Sequence, residues 1–472
     1  MKLTVTDIER PIFELLGATA QDLGFPAYVI GGFVRDRILG RDTKDIDIVC
    51  VGSGIALAEA FAKRLTPVPK VIVYKRFGTA MLQTNGMELE FVGARKESYR
   101  ADSRKPTVED GTIEDDQNRR DFTINALAMS LDKSDFGTVI DPFGGLEHLK
   151  QGLLKTPLEP NITFSDDPLR MMRGIRFATQ LGFRLDKGTL KAIKDQRERI
   201  KIISQERITT ELQKIMAANK PSIGYQLLFD TQLLHLIFPE LVAMQGVERR
   251  NGQGHKDNFY HTLQVLDNTA NATDNIWLRW VAVLHDIAKP MTKRYVEGQG
   301  WTFHGHEALG ARFVPKFFRR MKLPMDHKMK YVQKLVGLHQ RPVSLTKEEI
   351  TDAAVRRLLF EAGEDIDDLI LFCGADSTSK HQWKLDKYAA NLERLKERIA
   401  TIEERDHLRN WQPPISGELI METFGLKPCK EVGAIKNAIK EAILEGDISN
   451  EYQAAYDFML QKAKEMELEP IG

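Results

Sequence analysis

Two aspartates stand one residue apart in the run Lys44-Asp-Ile-Asp-Ile-Val-Cys50. β-Branched residues at 46, 48, 49 and 51, with Gly52 as a turn, predict a strand. Side chains two apart on a strand share a face. Asp45 and Asp47 therefore stand side by side, while Ile46 and Ile48 face a core. Adjacent carboxylates repel and are costly unless a cation lies between them. Mg²⁺ suits the role, because it takes a few carboxylates and completes its octahedron with water and substrate phosphates. An isolated Asp-x-Asp is more often two solvated aspartates at a strand end, so its meaning rests on its surroundings.

Upstream lies Ala27-Tyr-Val-Ile-Gly31-Gly32-Phe-Val-Arg35-Asp36-Arg37. It reads as a short apolar strand, two glycines and a helix carrying Arg35. Paired glycines let backbone approach a ligand, and a helix N-terminus offers N–H groups to phosphate. The combination resembles the start of the class II tRNA nucleotidyltransferase and bacterial poly(A) polymerase family, within the DNA polymerase β-like superfamily. The resemblance implies that Gly31, Gly32 and Arg35 hold a triphosphate and that Asp45 and Asp47 bind the catalytic Mg²⁺.

The elements that must position these residues follow in order. Residues 7–23 read as an amphipathic helix and 56–65 as another helix. Thr79–Thr84 and Met87–Val92 flank Asn85-Gly86, a strong hairpin signal. Glu90 on the second of these strands is a third carboxylate candidate, with a solvated outer face as the plain alternative. Residues 93–118, rich in charge and poor in core formers, read as a mobile loop. Arg119-Arg120-Asp121-Phe-Thr-Ile-Asn125-Ala resembles the second motif of the family. That implies a nucleotide contact for Arg120, and sugar recognition and pocket shaping for Asp121 and Asn125. Val139-Ile-Asp-Pro-Phe-Gly-Gly145 resembles the hinge between head and neck.

Asp166-Asp167-Pro168-Leu169-Arg170 opens a helix on which Arg170, Arg173 and Arg176 recur at three-residue spacing. Such a stripe is usually solvated, yet arginine forks also match phosphates and base edges. The segment resembles the fourth motif of the family, with Asp166 where Glu is usual. The resemblance gives Asp167 and Arg170 the reading of the incoming base, and Arg173 and Arg176 the triphosphate. Ser204-Gln-Glu-Arg207 through Glu211 resembles a helix-stabilising motif, to which a structural role is given.

A second constellation begins near residue 255: His261, His285-Asp286, His304-Gly-His306, His339 and Asp376. Neutral imidazoles and carboxylates are good ligands for first-row metals. The apolar run from Trp277 ends at the His-Asp pair, with Pro290 as its stop signal. The series resembles the HD superfamily of metal-dependent phosphohydrolases. It implies His261, His285, Asp286 and Asp376 as core ligands and His306 and His339 as a second set, with His304 as an alternative to His306. Ni²⁺, Mn²⁺ or a similar divalent ion is the implied metal, and Lys289 fits a frequent His-Asp-x-x-Lys extension. Arg312, Lys316, Arg319 and Arg320 give a basic helix face suited to an RNA backbone or simply to solvent.

The chain has 472 residues and no formal net charge, so an RNA partner cannot be argued from the total. No run approaches the roughly 18 apolar residues a membrane span needs, and the first residues lack the apolar core of a signal peptide. Three scattered cysteines offer neither a disulfide framework nor a zinc motif, which points to a reducing cytoplasm. The expected fold is α+β: a polymerase β-like nucleotidyltransferase head of mixed sheet and helices over 1–145, then an all-α remainder. That remainder is a neck and body over 146–250, an HD domain over 251–380 and a helical tail over 381–472. The expected function is addition or repair of the 3′-terminal CCA of tRNA from CTP and ATP by two-metal phosphoryl transfer. A second, phosphohydrolase or phosphodiesterase, activity is expected of the HD domain. The alternatives are poly(A) addition, a CC-only or A-only enzyme, and an HD phosphohydrolase whose head merely binds RNA.

Overall fold

A computed structural model describes residues 1–100, 103–250, 253–345, 351–379, 381–406, 411 and 413–471. Two compact units emerge, Met1–Val242 and Ala243–Gly472.

The first unit starts with helix α1 (Glu9–Asp22), strand β1 (Ala27–Ile30), helix α2 (Gly32–Ile38), strand β2 (Asp45–Cys50) and helix α3 (Gly54–Ala62). Strands β3 (Ile72–Tyr74), β4 (Thr79–Thr84) and β5 (Met87–Gly93) follow, and later β8 (Ala128–Ser130) and β9 (Val139–Ile140). These seven strands form one mixed sheet in the order β3-β4-β5-β2-β1-β8-β9. Only the central β2–β5 pair is parallel; the other pairs are antiparallel. The Asn-Gly signal holds: Asn85 and Gly86 both take positive φ, 49° and 75°, as a tight hairpin turn requires.

Alternation along the central strands divides the sheet into two faces. Ile46, Ile48, Leu89, Phe91, Ala80 and Leu82 are buried on one face. The Phe61 ring of α3 lies 6.1 Å from that of Phe91. Asp45, Asp47, Glu88 and Glu90 occupy the other face. Beyond the acids that face is closed by a small apolar cluster of Ile30, Val49, Ala94 and Ala128.

The loop expected over 93–118 is instead structured. Strands β6 (Arg95–Arg100) and β7 (Ser103–Asp110) form an antiparallel ribbon, followed by helix α4 (Ile113–Asn118). Residues 101–102 lie outside the described residues. A two-stranded ribbon needs cross-strand partners rather than a core of its own. Arg95 opposite Asp110 and Lys96 opposite Glu109 supply them. Helix α4 starts with a capping box between Thr112 and Asp115.

The rest of this unit is largely helical: α5 (Gly145–Gln151), α6 (Pro160–Asp166), α7 (Leu169–Leu181), α8 (Lys187–Gln196) and α9 (Gln205–Met216), then shorter helices to Val242. At the turn into α5, both carboxylate oxygens of Asp141 accept backbone N–H groups, from Gly145 and Leu146.

The second unit is mainly helical. Its core is built on Trp280, Phe259, Phe317 and Phe318, all fully buried. Pro290 is not what ends the helix Ile276–Leu284; it sits inside a further short helix, Lys289–Thr292. Proline is tolerated there because the N–H it lacks has no partner in a first helical turn. The tail comprises helices Gln382–Asp406, Gly417–Phe424, Lys430–Glu445 and Tyr452–Glu465. The first is held to helix Asp352–Ala362 by Arg405 on Asp352 at 2.9 Å and Arg356 on Asp406 at 2.8 Å. Among the described residues no helix is long and apolar enough to cross a membrane.

Candidate active site and candidate metal centre

In the first unit a cavity of about 620 Å³ opens beside the Asp-x-Asp strand. Asp45, Asp47, Gly32, Arg35, Arg120, Asp121, Asn125, Asp167, Arg170, Arg173 and Arg176 all line it. With Arg119 and Arg207, seven arginines face four aspartates there, so the cavity suits a polyanion. Glu90 is not in the lining but pairs in register with Asp47 on the neighbouring strand. The Asp47 carboxyl is held above its usual pKa by burial, with Arg120 opposing and Asp116 and Asp45 adding to the rise. Glu90 is raised too, by burial and then by Asp47. Three acids that crowd one another suit a divalent cation between them.

Gly31 shows why no larger residue fits before α2. Its φ is +80°, and a Cβ there would lie 2.8 Å from Arg120 Nη1 and 3.6 Å from Asp47 Oδ2. The glycine thus lets an arginine close on the acid strand.

One hydrogen-bonded network runs across the cavity wall. Arg35 donates to both oxygens of Asp36, at 2.8 and 2.7 Å, and to Asn125 Oδ1 at 2.7 Å. Asn125 donates to Asp121 Oδ1 at 2.9 Å, and Arg173 Nε donates to Asp121 Oδ2 at 2.6 Å. Burial alone would raise the Asp121 pKa, but Arg173 and Asn125 hold it down to about 2. Arg120 grips the buried Asp116 with Nε and Nη2, each at 3.1 Å. Arg176 points to Glu211 of α9, at 3.2 Å. Arg170 donates to two backbone carbonyls, Thr163 at 3.3 Å and Arg119 at 2.5 Å. Asp167 Oδ1 accepts the Leu169 N–H at 3.1 Å, so it starts α7 while facing the cavity.

The sequence reading missed Arg119, Phe177 and the position of Arg207 on the cavity wall. Phe177 anchors three cations: Arg35, Arg173 and Arg176 lie 5.1, 5.4 and 4.3 Å from its ring centre. Its signal was present, since Phe177 follows Arg173 by one helical turn.

Asp121 carries a pH-dependent share of stability. A carboxylate with a depressed folded pKa stabilises above its unfolded pKa, and the contribution fades as pH falls through the folded value. Asp121→Asn is expected to cost roughly 2.5 kcal/mol at pH 7, from a shift of about two units. The difference from wild type should shrink between about pH 4 and pH 2. Urea unfolding of both proteins across that range checks this.

In the second unit a centre forms around Asp286, which is buried. Its Oδ2 lies 3.2 Å from His285 Nε2 and 3.7 Å from His261 Nε2, while Oδ1 lies 3.3 Å from His306 Nε2 and 3.9 Å from His339 Nε2. Asp376 Oδ1 completes one side, 3.0 Å from His261 and 3.5 Å from His285. Two ligand groups result, His261–His285–Asp286 and Asp286–His306–His339, sharing one carboxylate. His304 is exposed and outside both, so His306 is the residue brought to the centre. Lys289 reaches Asp286 Oδ2 at 2.6 Å.

The outer nitrogens fix the ring tautomers. Nδ1 of His285, His306 and His339 faces the carbonyls of Ala282, Phe303 and Val336 at 2.9, 2.7 and 2.7 Å. A carbonyl only accepts, so each Nδ1 carries the proton and each Nε2 can offer its lone pair inward. His306 and His339 Nε2 then face each other at 3.3 Å. Burial alone would lower the His285 pKa, yet Asp286 and Asp376 carry it up to about 10. A pocket that draws a proton so strongly suits a metal cation.

Family models match three stretches of the chain: "Poly A polymerase head domain" over 27–155, "Probable RNA and SrmB- binding site of polymerase A" over 182–244 and "HD domain" over 258–379. The A-adding tRNA nucleotidyltransferase of Deinococcus radiodurans is 31% identical over 72% of this chain and 78% of its own length. The chain belongs to the tRNA nucleotidyltransferase family. The match to a CCA-adding enzyme of Geobacillus sp. runs almost end to end, at 28% identity over 96% of this chain and 98% of that one. The A-adding tRNA nucleotidyltransferase of Aquifex aeolicus is 42% identical, but over only 36% of this chain and 20% of its own length. Among solved structures, the Thermotoga maritima CCA-adding enzyme complexed with tRNA shares the fold, with TM-score 0.61 and 21% identity over 97% of this chain and 96% of that one.

Within a tRNA nucleotidyltransferase fold the two sites differ in kind. The cavity of the first unit sets acids beside a cationic wall, an arrangement for phosphoryl transfer from a polyanion. The second centre is a buried set of imidazoles and carboxylates able to hold divalent metal.

Proposed function

We propose that this chain extends the 3′ end of tRNA with C and A, using CTP and ATP. The single observation that carries the reading is the shared cavity of Asp45, Asp47, Arg120, Asn125, Asp167 and Arg170. The names of the relatives matched, CCA-adding and A-adding enzymes, support it. A 3′-hydroxyl attacks the α-phosphate of the incoming nucleotide, and pyrophosphate leaves. Asp45 and Asp47 hold Mg²⁺, which supplies activation of the hydroxyl and charge stabilisation on the leaving oxygens. Gly32 gives the phosphates room, Gly31 lets Arg120 close on the acid strand, and Arg35, Arg120, Arg173 and Arg176 offset the phosphate charge. Asp121 and Asn125, locked to Arg35 and Arg173, shape the sugar side. Asp167 and Arg170 read the base. Arg170 is pre-set for this by its two carbonyl partners, so its guanidinium needs little ordering when a base arrives.

Residues 1–145 act as head, 146–250 as neck and body, 251–380 as HD domain and 381–472 as tail. Arg312, Lys316, Arg319 and Arg320 lie on the helix His306–Arg320, whose opposite side buries Val314, Phe317 and Phe318. The outward cations suit an RNA backbone.

Three tRNA transcripts, ending before CCA, after C and after CC, test the reading with CTP or ATP alone and together. The expected outcome is extension that stops at CCA. Extension only of the transcript ending in CC would make this an A-adding enzyme, open-ended A addition a poly(A) polymerase, and no extension would reject the reading.

A second reading applies to the HD centre, and the inward set of Nε2 atoms favours it. Its two ligand groups suit Ni²⁺ or Mn²⁺ and hydrolysis of a phosphate ester or cyclic phosphodiester.

A further inference from the structure

The sheet face that carries the acids continues beyond them. Asp47 lies opposite Glu90, Glu90 opposite Met81, and Met81 opposite Ile72. Residues directly opposite share a face, so Ile72, and Tyr74 two residues on, stand on the carboxylate side of the sheet. At about 4.8 Å per strand, Ile72 lies roughly 14 Å from Asp47. This direction leads away from β1, whose following turn and helix carry Gly32 and Arg35 into the nucleotide cavity.

The margin of the sheet is apolar and cationic at once. Ile72, Tyr74 and Phe77 are 40%, 43% and 64% exposed. Lys75 and Arg76 are exposed between the two rings, with the Arg76 guanidinium 6.0 Å from the Phe77 ring centre. Tyr74 ends the edge strand and Phe77 lies in the helical turn Lys75–Phe77 that follows it; exposed rings at a sheet edge are an association hazard unless they serve a partner. Aromatic rings interleaved with cations fit single-stranded nucleic acid, whose bases stack and whose phosphates need counter-charge. A hydroxyl that attacks at Asp45 and Asp47 must also arrive from a side the nucleotide does not fill.

We propose that Tyr74 and Phe77, with Lys75 and Arg76, form a stacking shelf for the single-stranded 3′ end of the acceptor RNA. The shelf delivers that end to Asp45 and Asp47 from the side opposite the nucleotide cavity. The assignment rests on the nucleotidyltransferase reading above. RNA is favoured over a protein partner because Tyr74 shares the sheet face of the acid row and the turn after it carries the charge that phosphates require.

The test uses the full chain, a tRNA transcript lacking CCA, and CTP. In Tyr74→Ala/Phe77→Ala, KM for the RNA is expected to rise roughly five- to a hundredfold, the range for losing base stacking. The Kd for CTP and kcat at saturating RNA should change less than twofold. Tyr74→Phe/Phe77→Tyr should keep the wild-type KM. Lys75→Glu/Arg76→Glu should raise KM and flatten its salt dependence. An unchanged RNA KM in the alanine and charge-reversed variants overturns the proposal, as does an equal rise in the Kd for CTP. If wild-type protein extends no RNA, the functional reading fails separately. The shelf is then judged by anisotropy of a labelled single-stranded RNA: weaker binding by the alanine variant supports it, and equal binding rejects it.

Discussion

Asp45→Ala/Asp47→Ala protein is expected to incorporate nucleotide at least about a thousandfold more slowly than wild type. A metal ion contributes several kcal/mol of charge stabilisation in such a transfer, and each 1.36 kcal/mol is tenfold in rate. Both acids line the cavity on one face of β2, and Asp47 is crowded by Asp45 and Glu90. No other acid of the lining stands on that strand; Asp121 is occupied by Asn125 and Arg173. Loss of fold would not explain the drop. Two like charges on one face repel, so their removal should leave the melting temperature of the metal-free protein unchanged or higher. Single-turnover extension of a tRNA transcript, with thermal melting of both proteins, provides the check. Wild-type rates in the variant would end the mechanism.

If the second centre is the proposed phosphohydrolase, His285→Ala/Asp286→Ala is expected to abolish its binding of divalent metal and to cut that turnover by about a thousandfold or more. Asp286 offers an oxygen to each ligand group, so its loss strikes both at once. His306→Ala should remove only the group formed with His339. Equilibrium dialysis with Ni²⁺ or Mn²⁺ reads the stoichiometry, and hydrolysis of a phosphate ester and a cyclic phosphodiester reads the chemistry. Retained nucleotide addition shows that the variant still folds. Equal metal content and turnover in variant and wild type would dismiss the centre as catalytic.

What is local was legible along the chain. Strand alternation placed Asp45 and Asp47 together and Ile46 and Ile48 behind them, and burial along β2 follows that pattern. Asn85-Gly86 specified its hairpin because so few residues accept two successive positive φ angles. The three-residue spacing put Arg170, Arg173 and Arg176 on one helix and one cavity wall. The His and Asp series was readable as a set because each member sits in a short run of its own.

Tertiary structure decided what depends on distant partners. Arg35 meets Asn125 across 90 positions, and Arg173 meets Asp121 across 52. Spacing along the chain says nothing of such pairs, because the sheet and α7 bring them together. Residues 93–118 lacked a core, so only pairing between Arg95–Arg100 and Ser103–Asp110 could reveal a ribbon. His304 and His306 were equal in the sequence; the helix beginning at His306 buries one and leaves the other in the turn before it. Arg176 lines the cavity, and α9 sets Glu211 against it, a partner that spacing along the chain could not name. In each case a short-range signal named the residue type, and long-range packing chose its partner, because charge and burial are settled only where separate elements close on one another.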